Sequence, residues 1–505
     1  MKTGQDTLML KKTERTNVQD GSPALFSVFH SVFFLFLLLL PAACLSEDEF
    51  TLSPADVLAF SRDTVQLDTI ISGRPTKTET LTVYNRANRA LHIGSVRLAK
   101  GAVSPFSVNV DGQSLDGGTA SDFEIAAADS LIVFLMCHAP EMDRDEPVEV
   151  ADELIFTLES GVQQTVLLRA SSQDVVRMDH VVIENDTLLG APRPYLITDS
   201  LVVAPGARLT VAPGAQFYFH AGATLVVRGT LDVCGTMERP VVFRGDRLEN
   251  MFSGQPYDRI PGQWSGVVIA SESFGNRMEN CDLHSSVFGI RVDSAATDCE
   301  KLRIENSIIH NTSRDGLSVR HAKIFVGNTQ ITNAGGNCVT LRGGETEFVH
   351  CTIARFYYFT GGSGVALDFA NFDGSAVLPL KTRFANCIVT GFQSDELMGS
   401  RADDENAEFD YRFENCLLNT PETDDENIVR CLWDEGDSAR EKNFTPDFDL
   451  ARLLFNFGLR STSPAVGQAD PEITSRYYPL DRLGRNRLAG EGPDMGCYQH
   501  VPALD

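Results

Sequence analysis

A short template recurs through the second half of the chain and restricts its fold more than any other feature. Each copy pairs an asparagine or histidine with a small residue, as in MENCDLH, IENSIIH, VGNTQIT, FVHCTIA, FANCIVT and FENCLLN. The first residues of these pairs are Asn280, Asn306, Asn328, His350, Asn386 and Asn415, with spacings of 26, 22, 22, 36 and 29 residues. One turn of the repeat therefore contains about 22 residues, and the longer spacings indicate insertions.

A second apolar strand follows most of these pairs, beginning near FGIRV, DGLSV, NCVTL and SGVALDF. Three short strands per turn predict a right-handed parallel β-helix, whose rungs lie about 4.8 Å apart. In such a coil the asparagine amide bonds its neighbours along the ladder, and the small residue after it fits a tight interior corner. Residues 195–420 resemble the pectate-lyase-like β-helix superfamily in this pattern. The resemblance implies the fold and leaves the activity open, because many functions share this scaffold.

Residues 50–172 follow a different pattern, in which apolar residues alternate along short strands. The alternation is clear in LTVYN, and Ser160 and Gly161 form a turn signal between two strands that pair naturally. These features predict a small antiparallel β-sandwich ahead of the β-helix, in an all-β chain. The segment resembles the immunoglobulin-like modules at the base of bacterial surface proteins, in which a TLTVxN strand precedes an LxIxxV strand. This resemblance implies the role of a spacer.

The first 43 residues have the charge asymmetry of an export signal, because basic residues precede the apolar run VFFLFLLLL and acidic residues follow it. The sequence LPAAC resembles a bacterial lipobox, with Pro41 where that motif usually has a small or β-branched residue. The SEDE after Cys44 resembles the surface-export signal of Bacteroidota lipoproteins. These resemblances imply that Cys44 carries lipid and anchors the chain to the outer membrane at the cell surface. Plain secretion and a membrane span over 24–43 are the alternatives.

The charge balance limits the partners that the protein can have. The 505 residues include 43 basic and 69 acidic side chains, for a formal net charge of −26. This charge repels phosphate backbones and therefore argues against nucleic acid. The predicted partners are outer-membrane lipid, through the anchor, and a polysaccharide or a surface protein.

Four of the eleven cysteines occupy the small-residue position of the template, namely Cys281, Cys351, Cys387 and Cys416. We expect them to form an interior column, with a disulfide between neighbouring rungs as the alternative. The other cysteines show no metal-ligand spacing such as CxxC, so the sequence predicts neither a metal nor a cofactor. The acidic insertions 403–410 and 421–426 are expected to be solvated loops, with calcium binding as the alternative.

The end of the chain resembles the terminal segment of bacterial β-helix surface proteins of the choice-of-anchor Q type. That segment has an SPAxxxG turn, a D-x-x-G-x-x-R motif and a GPDxGxYE-like end. Here the corresponding stretches are SPAVGQAD, DRLGRNR and GPDMGCYQ, in which Gln499 departs from the pattern. The resemblance implies a cap over the last rung, whose edge would otherwise pair with other chains.

The best candidates for catalysis lie four residues after the asparagine or histidine of each template pair. This position holds His284 and His310, followed on later rungs by other residues, and Arg314 and Asp315 lie on the next turn. Histidine as a general base beside arginine suits the cleavage of an acidic polysaccharide. The alternative is that these side chains are ordinary exposed polar residues. Asp368 and Asp373 are a weaker candidate pair.

Two functions therefore remain open. The first is a cell-surface lipoprotein whose non-catalytic β-helix binds glycan or protein or serves as a scaffold. The second is a polysaccharide lyase or glycoside hydrolase, which would place both histidines in a groove beside Arg314 and an aromatic platform from 356–358. The predicted organisation is a signal peptide (1–43), a lipidated tether (44–49), an immunoglobulin-like sandwich (50–172), a β-helix (178–430) and a C-terminal cap (431–505).

Overall fold

The computed structural model describes residues 50–252, 254–359, 361–404, 406–434, 442–444, 456–490 and 492–501. The predicted signal peptide and Cys44 lie outside these ranges. The described residues form an antiparallel sandwich followed by a right-handed parallel β-helix, which confirms the predicted fold class. None of the helices in these ranges is long and apolar enough to span a bilayer.

Two five-stranded sheets form the sandwich and enclose its apolar core. The strand orders are β1-β3-β8-β5-β6 and β2-β10-β9-β4-β7, and all pairs are antiparallel except β2 with β10. The strands are β1 (Leu58–Phe60), β2 (Thr64–Ile71), β3 (Glu79–Asn85), β4 (Leu91–Leu98), β5 (Phe106–Val110), β6 (Gln113–Ser114), β7 (Thr119–Ile125), β8 (Ser130–Cys137), β9 (Val148–Leu158) and β10 (Gln163–Gln173).

The following strands coil into the β-helix, apart from the small hairpins β21–β22 and β36–β37. Strands β11 to β27 are β11 (Val176–Met178), β12 (Val181–Ile183), β13 (Thr187–Leu189), β14 (Tyr195–Ile197), β15 (Ser200–Val203), β16 (Arg208–Val211), β17 (Gln216–Phe219), β18 (Thr224–Val227), β19 (Thr230–Cys234), β20 (Val241–Gly245), β21 (Asn250–Phe252), β22 (Gln255–Pro256), β23 (Gly266–Ile269), β24 (Asn276–Glu279), β25 (Cys281–His284), β26 (Ile290–Val292) and β27 (Leu302–Glu305). Strands β28 to β44 are β28 (Ile308–Thr312), β29 (Leu317–Arg320), β30 (Lys323–Gly327), β31 (Gln330–Ala334), β32 (Val339–Arg342), β33 (Gly344–Val349), β34 (Thr352–Arg355), β35 (Leu367–Ala370), β36 (Phe372–Asp373), β37 (Ala376–Val377), β38 (Leu380–Ala385), β39 (Ile388–Gly391), β40 (Leu397–Ser400), β41 (Phe409–Glu414), β42 (Leu417–Leu418), β43 (Ile428–Val429) and β44 (Leu432–Trp433).

Three long parallel sheets form the coil, and each turn of the chain visits them in the same order until the last turn, which passes from β42 to β43 without a described strand in one of the sheets. We name them S1 (β11, β14, β17, β20, β25, β28, β31, β34, β39, β42 and β44), S2 (β12, β15, β18, β23, β26, β29, β32, β35 and β40) and S3 (β13, β16, β19, β24, β27, β30, β33, β38, β41 and β43). Apolar side chains from all three sheets fill the interior. A helix, α1 (Pro471–Tyr477), follows near the end of the chain, with Asp470 as its N-cap.

The template asparagines form the corner between S3 and S1. Asn280, Asn306, Asn328, His350, Asn386 and Asn415 all have left-handed backbone, with φ between 47° and 55°. Asparagine tolerates this conformation better than most residues, which explains why it recurs at the corner. Part of the predicted amide ladder is present, since Asn328 Nδ2 donates to Asn306 Oδ1 at 2.8 Å and Asn386 Nδ2 donates to His350 Nε2 at 3.0 Å. The sequence pattern indicated the ladder but not the left-handed turn.

The residue after each corner points into the coil and confirms the predicted interior column. Backbone N–H groups donate to the side chain one rung along, as from Cys351 to Cys387 Sγ and from Cys387 to Cys416 Sγ, both at 3.4 Å. All ten described cysteines are free thiols. The column consists of Cys281, Ser307, Thr329, Cys351, Cys387, Cys416 and Cys431.

Two segments lie against the outer face of S1. The first, which we call the S1 loop, comprises 246–252 and 254–262. It also reaches the sandwich, where Lys77 Nζ donates to the Asn250 carbonyl at 2.7 Å. The second is the C-terminal segment, whose described parts are 456–490 and 492–501. Its Tyr498 hydroxyl donates to Gln330 Oε1 at 2.7 Å. The predicted cap over the last rung stays a prediction, because 435–441 and 445–455 lie outside the described residues.

A separate apolar cluster joins the C-terminal segment to S1. Ala354, Ile388 and Leu417 project outward from S1 into this cluster. Phe457, Ala465, Met495 and Tyr498 pack against them from the C-terminal segment. This part of the outer face of S1 is therefore a second hydrophobic core and not a solvated surface.

Candidate functional site

His284 and His310 lie side by side on the outer face of S1. Their strands β25 and β28 are neighbours, and the two residues pair in register. The residues before them, Leu283 and Ile309, point into the coil, so the histidines point outward. Even so, only 3% of His284 and 7% of His310 are exposed, because the S1 loop and the C-terminal segment cover this part of the sheet.

Asp282 joins the two histidines into one cluster. His284 Nδ1 donates to Asp282 Oδ1 at 2.8 Å, and His310 Nε2 donates to the same oxygen at 3.1 Å. The two imidazole rings are 4.9 Å apart and inclined by 40°. Since Asp282 and His284 are two residues apart on one strand, their side chains share a face. We call Asp282, His284 and His310 the S1 triad.

The S1 loop adds a second carboxylate. Asp258, in a 3₁₀ turn (Tyr257–Arg259), places Oδ2 3.6 Å from His284 Nε2 and 3.1 Å from Arg244 Nη1. Burial by itself would raise the pKa of Asp258, but contact with His284 and the charge of Arg244 outweigh burial and lower that pKa. The charged form of Asp258 is thus fixed beside His284.

Burial and nearby charges shift the pKa values of the two histidines in opposite directions. Burial lowers the pKa of both imidazoles, and Asp282 opposes that effect. In His284 the carboxylates prevail and the pKa is raised, whereas in His310 burial prevails and the pKa is lowered. His284 therefore holds a proton more strongly than His310. Burial also raises the pKa of Asp282, but the two histidines reverse this effect and leave its pKa well below the ordinary value.

Arg314 and Asp315 do not join the S1 triad. They lie in the turn between S1 and S2, where Arg314 is exposed. Asp315 accepts hydrogen bonds from the Thr340 hydroxyl at 2.7 Å and from the Asn337 backbone at 3.1 Å. The four residues predicted from the sequence therefore divide between two places, and the structure does not assemble them into one catalytic centre.

The outer face of S2 carries a long groove that includes Arg314 and Asp315. Two adjoining depressions of about 670 and 720 Å³ share Phe288 and Arg291 and together cross five strands of S2, from β15 to β29. We call this feature the S2 groove. Its other polar lining side chains are Asp199, Ser200, Thr224, Arg228, Ser265, Ser271, Glu272, Asp293, Ser313, Arg314, Asp315, Ser318, Asn337 and Ser363.

Charged side chains of both signs line the S2 groove. Arg228 lies 3.8 Å from Glu272, and Arg291 lies 3.6 Å from Asp293. The guanidinium of Arg291 is also 5.1 Å from the centre of the Phe288 ring. Exposed ion pairs of this kind contribute little to stability, so their side chains are available to a ligand.

The weaker sequence candidates have structural roles. Asp368 forms an ion pair with Arg342, and Asp373 lies 2.7 Å from Arg320. Phe356 is fully buried in the apolar cluster beneath the C-terminal segment, so it offers no open aromatic platform. Tyr357 and Tyr358 are half-buried beside it in the chain.

Sequence reasoning missed four residues that define these two places. Asp282 was visible, because an aspartate two residues before a histidine on a strand shares its face. Asp258 carried no signal, since its loop lies outside the repeated template. Phe288 and Arg291 belong to FGIRV, the start of the second strand in one copy of the repeat, but nothing in that pattern marked their face as an open groove. Another depression, of about 760 Å³ on the sandwich, has Asp116 as its one titratable lining residue.

Comparison with known proteins supports the fold. Residues 260–397 match the family described as "Right handed beta helix region". The strand pairing of S1, S2 and S3 and this match define the chain as a right-handed parallel β-helix protein. No curated protein matches the sequence.

Solved structures similar to parts of the chain have low identity. Pectate lyase Pel9A is 12% identical over 65% of this chain and 88% of that chain, with a TM-score of 0.31. The catalytic unit of a GH87 α-1,3-glucanase from Streptomyces thermodiastaticus is 12% identical over 70% of this chain and 75% of that chain, with a TM-score of 0.29. PapD-like domain 7 of human CEP192 is 10% identical over 26% of this chain and 96% of that chain, with a TM-score of 0.17.

Proposed function

We propose that the protein is a cell-surface lipoprotein whose β-helix binds an extended polysaccharide without cleaving it. The observation that carries this proposal is the S2 groove, which crosses five strands of S2 and is open to solvent. Five rungs at the usual strand spacing give a groove about 19 Å long. A groove of this shape suits a linear chain better than a compact small molecule.

The chemistry of the groove supports a carbohydrate ligand. Sugars present hydroxyl groups and apolar ring faces, which require both polar side chains and an aromatic surface. Phe288 lies where the two depressions meet, with serine, threonine and asparagine side chains on both sides. Arg228, Arg291 and Arg314 add donors for hydroxyl or carboxylate groups along the groove.

Binding is favoured over cleavage by the positions of the histidines. A general acid or base must reach the substrate within hydrogen-bond distance. His284 and His310 are buried under the S1 loop and the C-terminal segment, on a different sheet from the open groove. Asp315 and Asp368 are engaged by Thr340 and Arg342, respectively.

The membrane anchor is part of the same proposal. Cys44 precedes Phe50, which begins the described chain and bridges to Ala90 of the sandwich. Six residues reach at most about 20 Å, so a lipid on Cys44 would hold the sandwich close to the outer membrane. The sandwich then serves as an immunoglobulin-like spacer between the lipid and the β-helix, in a protein of the Bacteroidota surface type.

The binding proposal is tested by affinity electrophoresis of the purified protein through gels that contain acidic or neutral polysaccharides. We expect retardation by at least one polysaccharide and its loss in Phe288→Ala and Arg291→Ala. Arg277→Ala is the matched control, because Arg277 lies on S3 and is equally exposed. Retardation that survives both groove variants contradicts the proposal.

The same polysaccharides distinguish binding from catalysis. Incubation with the protein is followed by measurement of reducing ends and of the unsaturated uronates that a lyase releases. We expect neither product. Product formed by the wild type, and lost in His284→Ala or in Arg314→Ala, would favour the alternative function as a lyase or hydrolase.

The anchor has a separate test. Cells that express the protein are labelled with a fatty-acid analogue, and we expect the label on the wild type but not on Cys44→Ala. An unlabelled wild type, or a labelled variant, would contradict the lipoprotein proposal without affecting the groove.

A further inference from the structure

We propose that the S1 triad is a binding site for a divalent transition metal of the zinc class. Among the described residues, Asp282, His284 and His310 are the one group of three His, Cys, Asp or Glu donors that come together, with donor atoms within 4.8 Å of one another. Two imidazole nitrogens and one carboxylate oxygen are donors that Zn²⁺ accepts. The inference does not depend on the proposed glycan binding.

The β-helix explains how the three donors converge. Asp282 and His284 occupy alternate positions of β25, so both point outward, and His310 pairs with His284 across the neighbouring strand β28. The contacts of 2.8 and 3.1 Å from Asp282 Oδ1 to the two imidazole nitrogens are close to the separation of neighbouring ligands around a tetrahedral zinc ion, about 3.3 Å. The two imidazole nitrogens also lie within 4.8 Å of each other, and they would move closer together to bind one ion.

A second layer of side chains supports the same assignment. A histidine that binds metal through one ring nitrogen usually directs the other at a carboxylate, which fixes the ring. If His284 binds through Nδ1, its Nε2 faces Asp258 Oδ2 at 3.6 Å, and this nitrogen has no hydrogen-bond partner among the described residues. Asp258 is in turn held by Arg244 at 3.1 Å.

One of the three donors is accessible to solvent. The two histidines are more than nine-tenths buried, but one quarter of the Asp282 side chain is exposed. Three protein ligands with one open position form an incomplete tetrahedron that water completes. Because Asp258 belongs to the S1 loop, a bound ion would also fix that loop against S1.

The test begins with the purified wild-type protein, stripped with a chelator and titrated with Zn²⁺ by calorimetry, with metal content measured by mass spectrometry. We expect one zinc ion per chain and no binding of Ca²⁺ or Mg²⁺ at the same concentration. Absence of stoichiometric zinc, or a site that takes only Ca²⁺, would overturn the proposal and leave a hydrogen-bonded triad.

Variants then locate the ion. We expect His310→Ala and the nearly isosteric Asp282→Asn to weaken zinc binding at least about 100-fold, and Asp258→Asn to weaken it about 10- to 100-fold. His180→Ala is the matched control, because His180 also bonds an aspartate, Asp199, but belongs to no group of three metal donors among the described residues. Zinc affinity that is unchanged in the two triad variants would overturn the site.

Two spectroscopic readouts separate metal binding from misfolding. Circular dichroism should show the same strand content in the wild type and in Asp282→Asn. Co²⁺ in place of Zn²⁺ should give the intense visible absorption of a tetrahedral site in the wild type, with loss of that absorption in Asp282→Asn. A wild-type Co²⁺ spectrum typical of six oxygen ligands would contradict the assignment.

Discussion

The outer faces of S1 and S2 arise from the same repeated coil but have opposite environments. On S1, outward residues such as His284, Ala354 and Ile388 are buried beneath the S1 loop and the C-terminal segment. On S2, outward residues such as Arg291 and Ser318 line an open groove. The template sets the interior of both sheets, and the segments outside the template decide which face meets solvent.

This difference indicates which outward positions of a β-helix can bind a ligand. Polar side chains at outward positions gain a ligand only if the face is open, or if covering segments enclose donors that suit an ion. The S2 groove is the first case, and the S1 triad is the second. Substitutions in the interior, at the boundary between the sheets, on the covered face of S1 and on the open face of S2 test this difference. We expect their effects on the free energy of unfolding to decrease in that order.

A substitution in the interior of the coil, behind both faces, should lower the free energy of unfolding most. Phe384 is fully buried and stacks between Phe348, at 4.6 Å, and Phe413, at 4.9 Å. We expect Phe384→Ala to lower the free energy of unfolding by about 4 kcal/mol, because it opens a cavity that the neighbouring rungs cannot fill. Urea denaturation measures the loss. The control is Phe252→Ala, at a side chain that is 65% exposed; equal losses in both variants would contradict this prediction.

The boundary between the two faces contains a buried acid that makes stability depend on pH. Glu396 follows β39 of S1 and precedes β40 of S2, and burial raises its pKa from 4.5 to about 7. Between these values the folded state binds more protons than the unfolded state. The free energy of unfolding therefore falls as pH rises through this window, by about 3 kcal/mol in all, and this contribution is constant above it.

Glu396→Gln isolates that contribution, because the amide does not titrate. Denaturation midpoints at pH 4.5, 6 and 7.5 should show a steeper decline in the wild type than in the variant. Parallel curves would mean that the carboxyl is not held in its neutral form at low pH.

A substitution at the covered outer face of S1 should lower the free energy of unfolding by a smaller amount. The Tyr498 hydroxyl of the C-terminal segment donates to Gln330 Oε1 of S1 at 2.7 Å. We expect Tyr498→Phe to lower the free energy of unfolding by about 1 to 2 kcal/mol, since it leaves a buried acceptor without its donor. Tyr84→Phe, at a half-buried tyrosine of the sandwich, is the control and should change stability by less than about 0.5 kcal/mol. No difference between the two variants would mean that the segment is not held by this contact.

The open face should show the smallest effect on stability. Arg314 is exposed in the S2 groove. We expect Arg314→Ala to change the free energy of unfolding by less than about 0.5 kcal/mol, as is usual for exposed side chains. Thermal denaturation checks this expectation. A loss above about 1 kcal/mol would show that the groove is held together by its own arginines.

The sequence predicted the coil where the template was regular. The spacing of the template asparagines placed β25, β28, β31, β34 and β39 on one sheet, and the stacking of His284 on His310 followed from it. The small residue after each asparagine placed the cysteine column correctly, because an interior corner accepts few side chains. Periodicity is local information, and it is enough for these features.

The covering of S1 could not be predicted in the same way. Asp258 meets His284 through an irregular loop, and Tyr498 meets Gln330 across 168 residues of chain. Contacts of this kind depend on tertiary packing and leave no periodic trace in the sequence. For the same reason, the sequence grouped Arg314 and Asp315 with the histidines, although the turn after β28 carries them to the S2 side.

The most direct test of this account is a footprint of the S2 groove with an arginine-specific reagent. Phenylglyoxal labelling, with and without the polysaccharide that retards the protein, is measured site by site by mass spectrometry. We predict that the polysaccharide protects Arg291 and Arg314 and leaves Arg277 on S3 equally labelled. Unchanged labelling of Arg291 and Arg314, or protection centred on Arg277, would contradict the account.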